Sequence, residues 1–134
     1  HPKGAVLAKF LTAEWLNDLA AALAAHEGFK SAISNAQISL QFEVPDAPEG
    51  AEKVYTIAVE GGAARVSPGP GASPDITIVN NYETAAAMAK GDLNTQMAFM
   101  TGKIKVSGNM GKLMTNQAML TQFANATAGM QVEY

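Results

Sequence analysis

The sequence predicts one α+β domain built around a mostly antiparallel sheet. Its 134 residues are 48% hydrophobic and 16% charged, which suits a single domain with its own core. Apolar residues recur at helical spacing near the start and in the second half of the chain, and they alternate with polar residues in several short runs. Because no repeat or linker interrupts this pattern, we expect residues 1–134 to form one domain.

The first half of the chain predicts a helix, a short helical segment and four strands. Thr12 is a suitable N-cap, apolar residues at helical spacing extend from Trp15 to His26, and Gly28 is a stop signal. A short helical segment is expected over residues 29–34. Alternating polarity and β-branched residues then predict strands, with a hairpin turn at a Gly-Gly pair between the second and third. These strands cover residues 38–44, 54–60, 63–67 and 75–79.

The second half of the chain predicts three helices and a fifth strand. Asn80, followed three residues later by Glu83, predicts a capped helix that ends at Gly91. The remaining elements are a short helix over 94–101, a strand over 103–107 and a last helix over 112–124. Helical spacing weakens after Phe123, where the residues are small and polar, so we expect that segment to have low local stability.

The residue sets of the common enzyme classes do not occur in this sequence. Cysteine is absent, which excludes thiolate metal sites and a cysteine nucleophile. His1 is terminal, and His26, placed in the last turn of the first helix, is expected to be structural. The acidic residues near the first turn between strands are typical of a solvated rim; they are Glu43, Asp46, Glu49 and Glu52. We therefore predict no catalytic residue, no metal ion and no cofactor.

The charge distribution excludes a general nucleic-acid binder. The net charge is −3 and no run of basic residues is present, whereas phosphate neutralisation requires a basic face. Four lysines nevertheless gather in the second half of the chain, with only Asp92 against them. They are Lys90, Lys103, Lys105 and Lys112. This group could attract a carboxylate, a CoA phosphate or an anionic membrane, or it could form a solvated strand face.

All seven methionines follow residue 87. Methionine is flexible and polarizable, so it suits an apolar surface that accommodates ligands of varied shape, although it also fills ordinary cores. Five of the methionines belong to the short helix, the last helix or the residues between the fifth strand and the last helix, whereas Met88 lies in the preceding helix and Met130 follows the last one. An apolar lining made from these elements could close on itself as core, or it could enclose a cavity.

Residues 90–114 carry a more specific signal. They match the pattern Gly-x-x-Asn-Pro-Gln-x-Ala-Phe-x-x-Gly-Lys-x-Lys-x-x-Gly-Asn-Met in order and spacing, except that Thr95 replaces the proline. The matching residues are Asn94, Gln96, Ala98, Phe99, Gly102, Lys103, Lys105, Gly108, Asn109 and Met110. With the preceding strand at residues 74–78, this segment resembles the sterol carrier protein-2 family. The chain ends without the Ser-Lys-Leu-like tail of peroxisomal members, so we expect a cytoplasmic, single-domain, bacterial member.

The resemblance implies a five-stranded, mostly antiparallel (mixed) sheet that helices cover on one side, with an apolar lipid-binding tunnel between the layers. Members of the family bind fatty acids, fatty acyl-CoA or sterols there without a cofactor. The residues expected to bind lipid are Trp15, Leu19, Met88, Gln96, Met97, Phe99, Met100, Ile104, Val106, Met110, Leu113, Met114, Gln117, Leu120 and Phe123. The residues expected to contact a headgroup or a membrane are Lys103, Lys105 and Lys112.

The functional expectation is a non-enzymatic lipid binding and transfer protein. Its partners would be a lipid ligand, a transiently contacted membrane and a lipid-metabolising enzyme. Three alternatives stay open: an accessory domain that presents lipid-linked substrates to a separate enzyme, a small enzyme that uses a carboxylate, and a structural domain with a collapsed cavity. Leu120 and Phe123 are expected to pack over the tunnel mouth, so that a chain truncated after Gln117 would still fold.

Overall fold

The computed structural model describes residues 7–134. Within these residues the chain forms six helices and a five-stranded sheet with the strand order β3-β2-β1-β4-β5. β1 and β4 are parallel, and the other neighbouring strands are antiparallel, which confirms the predicted mixed sheet. The elements are α1 (Ala13–Ala25), α2 (Glu27–Ala32), β1 (Ile38–Glu43), β2 (Val54–Glu60), β3 (Ala63–Pro68), β4 (Ile76–Asn80), α3 (Tyr82–Lys90), α4 (Thr95–Met100), β5 (Ile104–Gly108), α5 (Met110–Thr115) and α6 (Gln117–Ala128).

One face of the sheet carries most of the core. Alternation along β1 buries Ile38 and Leu40 and leaves Ser39 and Gln41 only half-buried, because successive side chains point to opposite faces. The register pairs Leu40 with Ile57 of β2 and with Ile76 of β4, so the buried residues of neighbouring strands form one apolar surface. The opposite face is polar, and there Gln41 Oε1 accepts a hydrogen bond from the backbone N–H of Gly71 at 3.0 Å.

The first helix begins where the sequence predicts but ends earlier. Thr12 is the N-cap of α1, and its side chain accepts a hydrogen bond from the backbone N–H of Trp15 at 3.3 Å. α1 ends at His26 rather than at Gly28, which lies inside α2. The His26 Nδ1 atom accepts a hydrogen bond from the backbone N–H of Phe29 at 3.0 Å and so caps α2. His26 is therefore structural, but it separates two helices instead of ending one.

The start of α3 differs from the prediction by one residue. Asn80 is the last residue of β4, and Asn81 is the N-cap, with its Oδ1 accepting a hydrogen bond from Thr84 N–H at 2.8 Å. Two adjacent asparagines could serve as the N-cap. Asn80 pairs with Ile104 in the sheet, so Asn81 takes the N-cap position. The predicted stop at Gly91 is confirmed, because Gly91 adopts a left-handed conformation with φ of 87°.

The last helical region is two helices, and it extends further than the sequence predicts. Asn116 ends α5 and precedes α6, which continues to Ala128 instead of weakening after Phe123. α6 buries Met119, Ala126 and Thr127, and it packs against α1, α2 and α3. A chain truncated after Gln117 would lose these buried residues, so the packing of α6 does not support the expectation that such a chain still folds, and that expectation stays a prediction.

Candidate functional site

An apolar cavity of about 60 Å³ lies between the inner face of the sheet and the helices. Its wall consists of residues from the turn before α1, from the inner face of the sheet and from four helices, α1, α3, α4 and α6. The lining residues are Phe10, Leu11, Trp15, Phe42, Val44, Tyr55, Asn80, Ala85, Met88, Ala89, Thr95, Phe123, Ala124 and Thr127. Every layer of the fold therefore meets at this cavity.

A continuous row of aromatic rings forms much of the wall. Trp15 makes edge-to-face contacts with Phe10 and Tyr55, at ring-centroid distances of 4.9 Å and 5.8 Å. Tyr55 stacks on Phe42 at 4.8 Å, and Phe42 in turn faces Phe123 of α6 at 5.9 Å. Rings in these geometries attract one another beyond the effect of their burial alone. The row gives the cavity a rigid apolar side.

The strand register explains why two of these rings lie side by side. Phe42 of β1 and Tyr55 of β2 are direct partners across an antiparallel pair, so their side chains project from the same face of the sheet. Burial raises the pKa of the Tyr55 hydroxyl well above its ordinary value. The hydroxyl is therefore neutral at every physiological pH, as expected of a group in an apolar wall.

The turn before α1 brings its aromatic residues to the cavity. Leu11 is fully buried and adopts φ of 67°, a left-handed backbone conformation that is uncommon for leucine. Its carbonyl oxygen accepts a hydrogen bond from the backbone N–H of Glu52 at 2.7 Å. This strained turn reverses the chain between Phe10 and Trp15, both of which line the cavity.

Two polar groups in the cavity wall have poor partners. Trp15 is only 2% exposed, and its indole Nε1 is buried without a hydrogen-bond acceptor among the described residues. The side-chain amide of Asn80 donates to the Met88 sulfur at 3.9 Å, and a thioether is a weak acceptor. No charged side chain occurs among the described residues that line this cavity. The cavity is thus apolar and uncharged, with one unsatisfied donor.

The size of the cavity limits what it holds in this conformation. An apolar cavity of about 150 Å³ binds benzene, and this one has less than half that volume. An acyl chain would therefore enter only if part of the wall moved outward. The apolar tunnel expected from the family resemblance is not open among the described residues.

The structure brings together only some of the residues predicted to bind lipid. Trp15, Met88 and Phe123 line the cavity. The next group lies in the core or packs against it, and comprises Leu19, Ile104, Val106, Leu113 and Leu120. The remaining residues are exposed: Gln96, Met97, Phe99, Met100, Met110, Met114 and Gln117.

The exposed residues are a correction to the predicted lining. α4 buries only Ala98. At the end of the helix the backbone N–H of Lys103 donates to the Ala98 carbonyl at 2.8 Å, and the chain continues into β5. α5 buries none of its residues. Met100 is consequently 73% exposed and Met114 62% exposed, so neither forms part of the interior in this conformation.

Sequence reasoning missed most of the cavity wall. Phe42 and Tyr55 carry a readable signal, because each alternates with polar or outward-facing neighbours in a predicted strand. Phe10 and Leu11 precede the predicted helix, where periodicity gives no information. Met119 is the one methionine that is fully buried, at 1% exposure, and it was not among the expected residues.

The exposed apolar residues of α4 and α5, together with three lysines in or beside β5 and α5, are a second group, which we call the α4–α5 face. It comprises Met97, Phe99, Met100, Met110 and Met114 together with Lys103, Lys105 and Lys112. Lys103 and Lys105 are exposed, whereas Lys112 pairs with Asp75, with 3.3 Å between Nζ and Oδ2. Large exposed apolar residues often belong to an interaction surface.

Other features of the described residues suggest no further chemistry. A shallow groove of about 360 Å³ runs beside α1 and the C-terminal residues, but it is open to solvent and includes Asp18. Residues 7–134 contain no group of three or more histidine or acidic side chains that could hold a metal ion. None of the helices in that part of the chain is long and apolar enough to span a bilayer.

Comparison with known families gives one match that covers most of the chain. A profile of the SCP-2 sterol transfer family matches residues 16–121. Human sterol carrier protein 2 is 36% identical over 85 residues, which is 63% of this chain but 16% of the human protein. The peroxisomal multifunctional enzyme A of Dictyostelium discoideum is 35% identical over 71 residues, 52% of this chain and 16% of that enzyme. The chain thus spans about a sixth of the curated relatives that it matches.

Solved structures show the same fold. Sterol carrier protein domain 2 of Helicoverpa armigera has a TM-score of 0.67 and 29% identity, and the match covers 100% of this chain and 96% of that one. A Thermus thermophilus protein described as possibly a sterol carrier protein has a TM-score of 0.74 and 18% identity, with coverage of 93% and 92%. At the lower identity the likeness concerns the fold alone.

Proposed function

This chain belongs to the SCP-2 sterol transfer family, and we propose that it binds and transfers lipids without catalysing a reaction of its own. The ligand would be a fatty acid, a fatty acyl-CoA or a sterol. Its apolar part would lie between the inner face of the sheet and the helices, in an enlarged form of the cavity described above. No cofactor takes part in this proposal.

The observation that carries the proposal is the uncharged, aromatic-lined cavity at the meeting point of the sheet and four helices. Burial of an apolar chain contributes about 0.8 kcal/mol per methylene group before the loss of chain freedom is subtracted. A chain of about ten methylene groups would therefore offset the outward movement of a few wall residues. Phe123 is a suitable movable part, since it is half-buried and contacts the ring row at one end.

A direct experiment is to extract lipids from the purified protein and identify them by mass spectrometry, together with displacement of a bound fluorescent fatty acid. We expect lipid in the extract and competitive displacement by natural lipids. Absence of lipid combined with no binding of the fluorescent fatty acid would contradict the proposal and favour a structural domain with a collapsed cavity.

We further propose that the α4–α5 face contacts an anionic membrane while lipid is exchanged. Phe99 and Met100 project from α4 and are 50% and 73% exposed, so they could enter the headgroup region without unfolding the helix. Lys103 and Lys105 follow directly, and each lysine near an anionic surface contributes about 1 kcal/mol of attraction. The charge of this face is opposite in sign to the net charge of −3 of the whole chain.

A second candidate function is an accessory domain that presents lipid-linked substrates to a lipid-metabolising enzyme. The observation in its favour is that the matched segment makes up only 16% of the Dictyostelium multifunctional enzyme. A vesicle-to-vesicle transfer assay separates the two candidates. A carrier accelerates transfer of a labelled lipid by itself, whereas an accessory domain binds the lipid but leaves the transfer rate unchanged.

A further inference from the structure

We propose that the indole N–H of Trp15 selects lipids that carry an uncharged acceptor oxygen, namely an ester or thioester carbonyl or a hydroxyl group. The inference rests on the proposed lipid-binding function and names the ligand chemistry of the same cavity. It assigns to Trp15 the role of the hydrogen-bond donor that the ligand satisfies.

The unsatisfied donor is the first step of the argument. Buried polar groups in folded proteins almost always have a hydrogen-bond partner, and an exception calls for a bound molecule or a functional role. The Trp15 indole Nε1 has no acceptor among the described residues, and Trp15 lines the cavity. An indole N–H is a donor only, so its missing partner must be an acceptor.

The protein itself offers this N–H only weak partners. The indole packs against the rings of Phe10 and Tyr55, both in edge-to-face geometry, and no described oxygen or nitrogen accepts from its N–H. Contacts between an N–H group and an aromatic ring are weaker than a hydrogen bond to oxygen. A ligand oxygen would therefore be a better partner than any that the described residues of the wall provide.

The position of the donor is fixed before a ligand arrives. The Trp15 backbone N–H is held by the Thr12 side chain in the first turn of α1, and rings pack against two sides of the indole. A donor whose orientation is fixed loses little freedom on binding, so the hydrogen bond would add to affinity and to discrimination between ligands. The carboxamide of Asn80, which has only a sulfur partner, is a second polar group in the same wall.

The absence of charge in the wall determines the class of acceptor. No lysine, arginine or histidine occurs among the described residues that line the cavity. An ionised carboxylate placed there would be buried without a counter-charge, which is strongly unfavourable. An ester or thioester carbonyl or a hydroxyl accepts the same hydrogen bond without that penalty. The carboxylate of a free fatty acid would instead stay at the exposed mouth.

The test compares four probes with the same twelve-carbon acyl or alkyl chain: dodecane, methyl laurate, 1-dodecanol and laurate at pH 8. Each is delivered from cyclodextrin, and its dissociation constant is measured for the wild type, for Trp15→Phe and for Tyr82→Phe. Tyr82 is the matched control, because its hydroxyl is also buried without a partner among the described residues but the side chain does not line the cavity. The ratio of ester to alkane affinity within one variant cancels any general loss of stability.

We expect the ester-to-alkane and alcohol-to-alkane affinity ratios to fall about fivefold in Trp15→Phe, which is the effect of one neutral hydrogen bond. The ratios should be unchanged in Tyr82→Phe, and the affinity of laurate relative to dodecane should not depend on Trp15. Unchanged ratios in Trp15→Phe would overturn the inference. A fall in the laurate ratio as large as that for the ester would show that the site selects anions, which also overturns it.

A second measurement needs no variant and decides the question if Trp15→Phe does not fold. Trp15 is the only tryptophan of the chain, so a ¹⁵N-labelled sample shows one indole N–H resonance. We expect methyl laurate and 1-dodecanol to shift the indole proton downfield and dodecane to leave it near its original position. Equal shifts with all probes would contradict the inference while leaving lipid binding intact. If no probe binds to the wild type, the proposed function fails as well.

Discussion

The carboxylate of Asp75 lies 3.3 Å from Lys112 Nζ and joins the start of β4 to α5. The same carboxylate accepts a hydrogen bond from the backbone N–H of Ser39 at 2.9 Å, so it also fixes the parallel neighbour β1. Because β1 and β4 are the one parallel pair of the sheet, no hairpin turn fixes the position of one strand against the other. Asp75 supplies that link.

Asp75 should make stability depend on pH. The hydrogen bond from the Ser39 backbone N–H lowers the pKa of this carboxyl group below its usual value of 3.8; burial opposes this effect, and Lys112 adds to it. Its contribution to stability is therefore complete above the unfolded pKa and is lost as the pH falls through the folded pKa. We expect Asp75→Asn to lower the free energy of unfolding by about 1–2 kcal/mol at pH 7 and to have little effect near pH 2.

Urea unfolding at pH 7, 4 and 2 tests this dependence. The matched control is Glu60→Gln, which removes an exposed carboxylate from β2. We expect the control to be close to wild type at all three pH values. If Asp75→Asn lost the same amount of stability at pH 2 as at pH 7, the charge of Asp75 would have no part in it.

Gly108 should be intolerant of any side chain. It adopts φ of +117°, and a Cβ atom at this position would overlap the backbone carbonyl oxygen of Asp75. Either β4 and β5 separate or the backbone of Gly108 changes, so we expect Gly108→Ala to lower the free energy of unfolding by about 2–4 kcal/mol. The control is Gly111→Ala in α5, where an added Cβ would lie 3.5 Å from Asn109 Oδ1, so this change should be neutral or stabilising. Thermal unfolding of both variants tests this prediction, and equal melting temperatures would contradict it.

Filling the cavity should weaken lipid binding. Ala124 of α6 lines the cavity, so Ala124→Phe would occupy its volume and cost about 1–3 kcal/mol of stability through overpacking. We expect the variant to bind a fluorescent fatty acid at least tenfold more weakly. Ala118→Phe adds the same ring at an exposed position of the same helix and should bind like the wild type. Equal affinities for the two variants would place the lipid elsewhere.

The strands were predictable because alternation is a local property. The second strand was predicted at its observed bounds, Val54–Glu60, and each end of the others within one residue, since alternation, β-branched residues or a Gly-Gly turn mark them in the sequence. The family match over residues 16–121 confirms the resemblance seen in residues 90–114. Helix ends were less predictable. At His26 and Asn81 the end depends on which side chain reaches a free backbone N–H.

The cavity could not be derived in the same way. In α4 the residues Met97, Phe99 and Met100 are all apolar, and periodicity in a six-residue helix does not tell which face is buried. Tertiary packing buries Ala98 and leaves its three apolar neighbours exposed. The wall itself combines residues from both ends of the sequence, such as Phe10 and Thr127, and only the packed fold brings them together.

Removing two lysines from the α4–α5 face should weaken membrane contact. Lys103→Ala combined with Lys105→Ala should reduce binding to vesicles that contain phosphatidylserine by about 2 kcal/mol at low salt. We expect no difference on neutral phosphatidylcholine vesicles, and a smaller one at high salt because of screening. The control Lys30→Ala combined with Arg65→Ala changes the net charge equally at exposed positions elsewhere. Co-sedimentation measures the binding of both double variants and of the wild type to each kind of vesicle. An equal loss of binding in both double variants would show that the effect comes from net charge alone.

Phe123 should control how fast a bound lipid leaves. Its ring is half-buried and meets Phe42 at 5.9 Å, at the point where α6 closes over the cavity. Phe123→Ala keeps the rest of α6, including the buried Met119, so we expect a folded protein that is about 2–3 kcal/mol less stable. Because the wall then has a gap, lipid release in a stopped-flow assay should be several-fold faster. The control Phe99→Ala removes an equal ring that is 50% exposed on α4, and it should leave the release rate unchanged when release is measured in a solution without vesicles. If both variants release lipid at the wild-type rate, exit does not pass Phe123, and the aromatic row is a fixed wall rather than a gate.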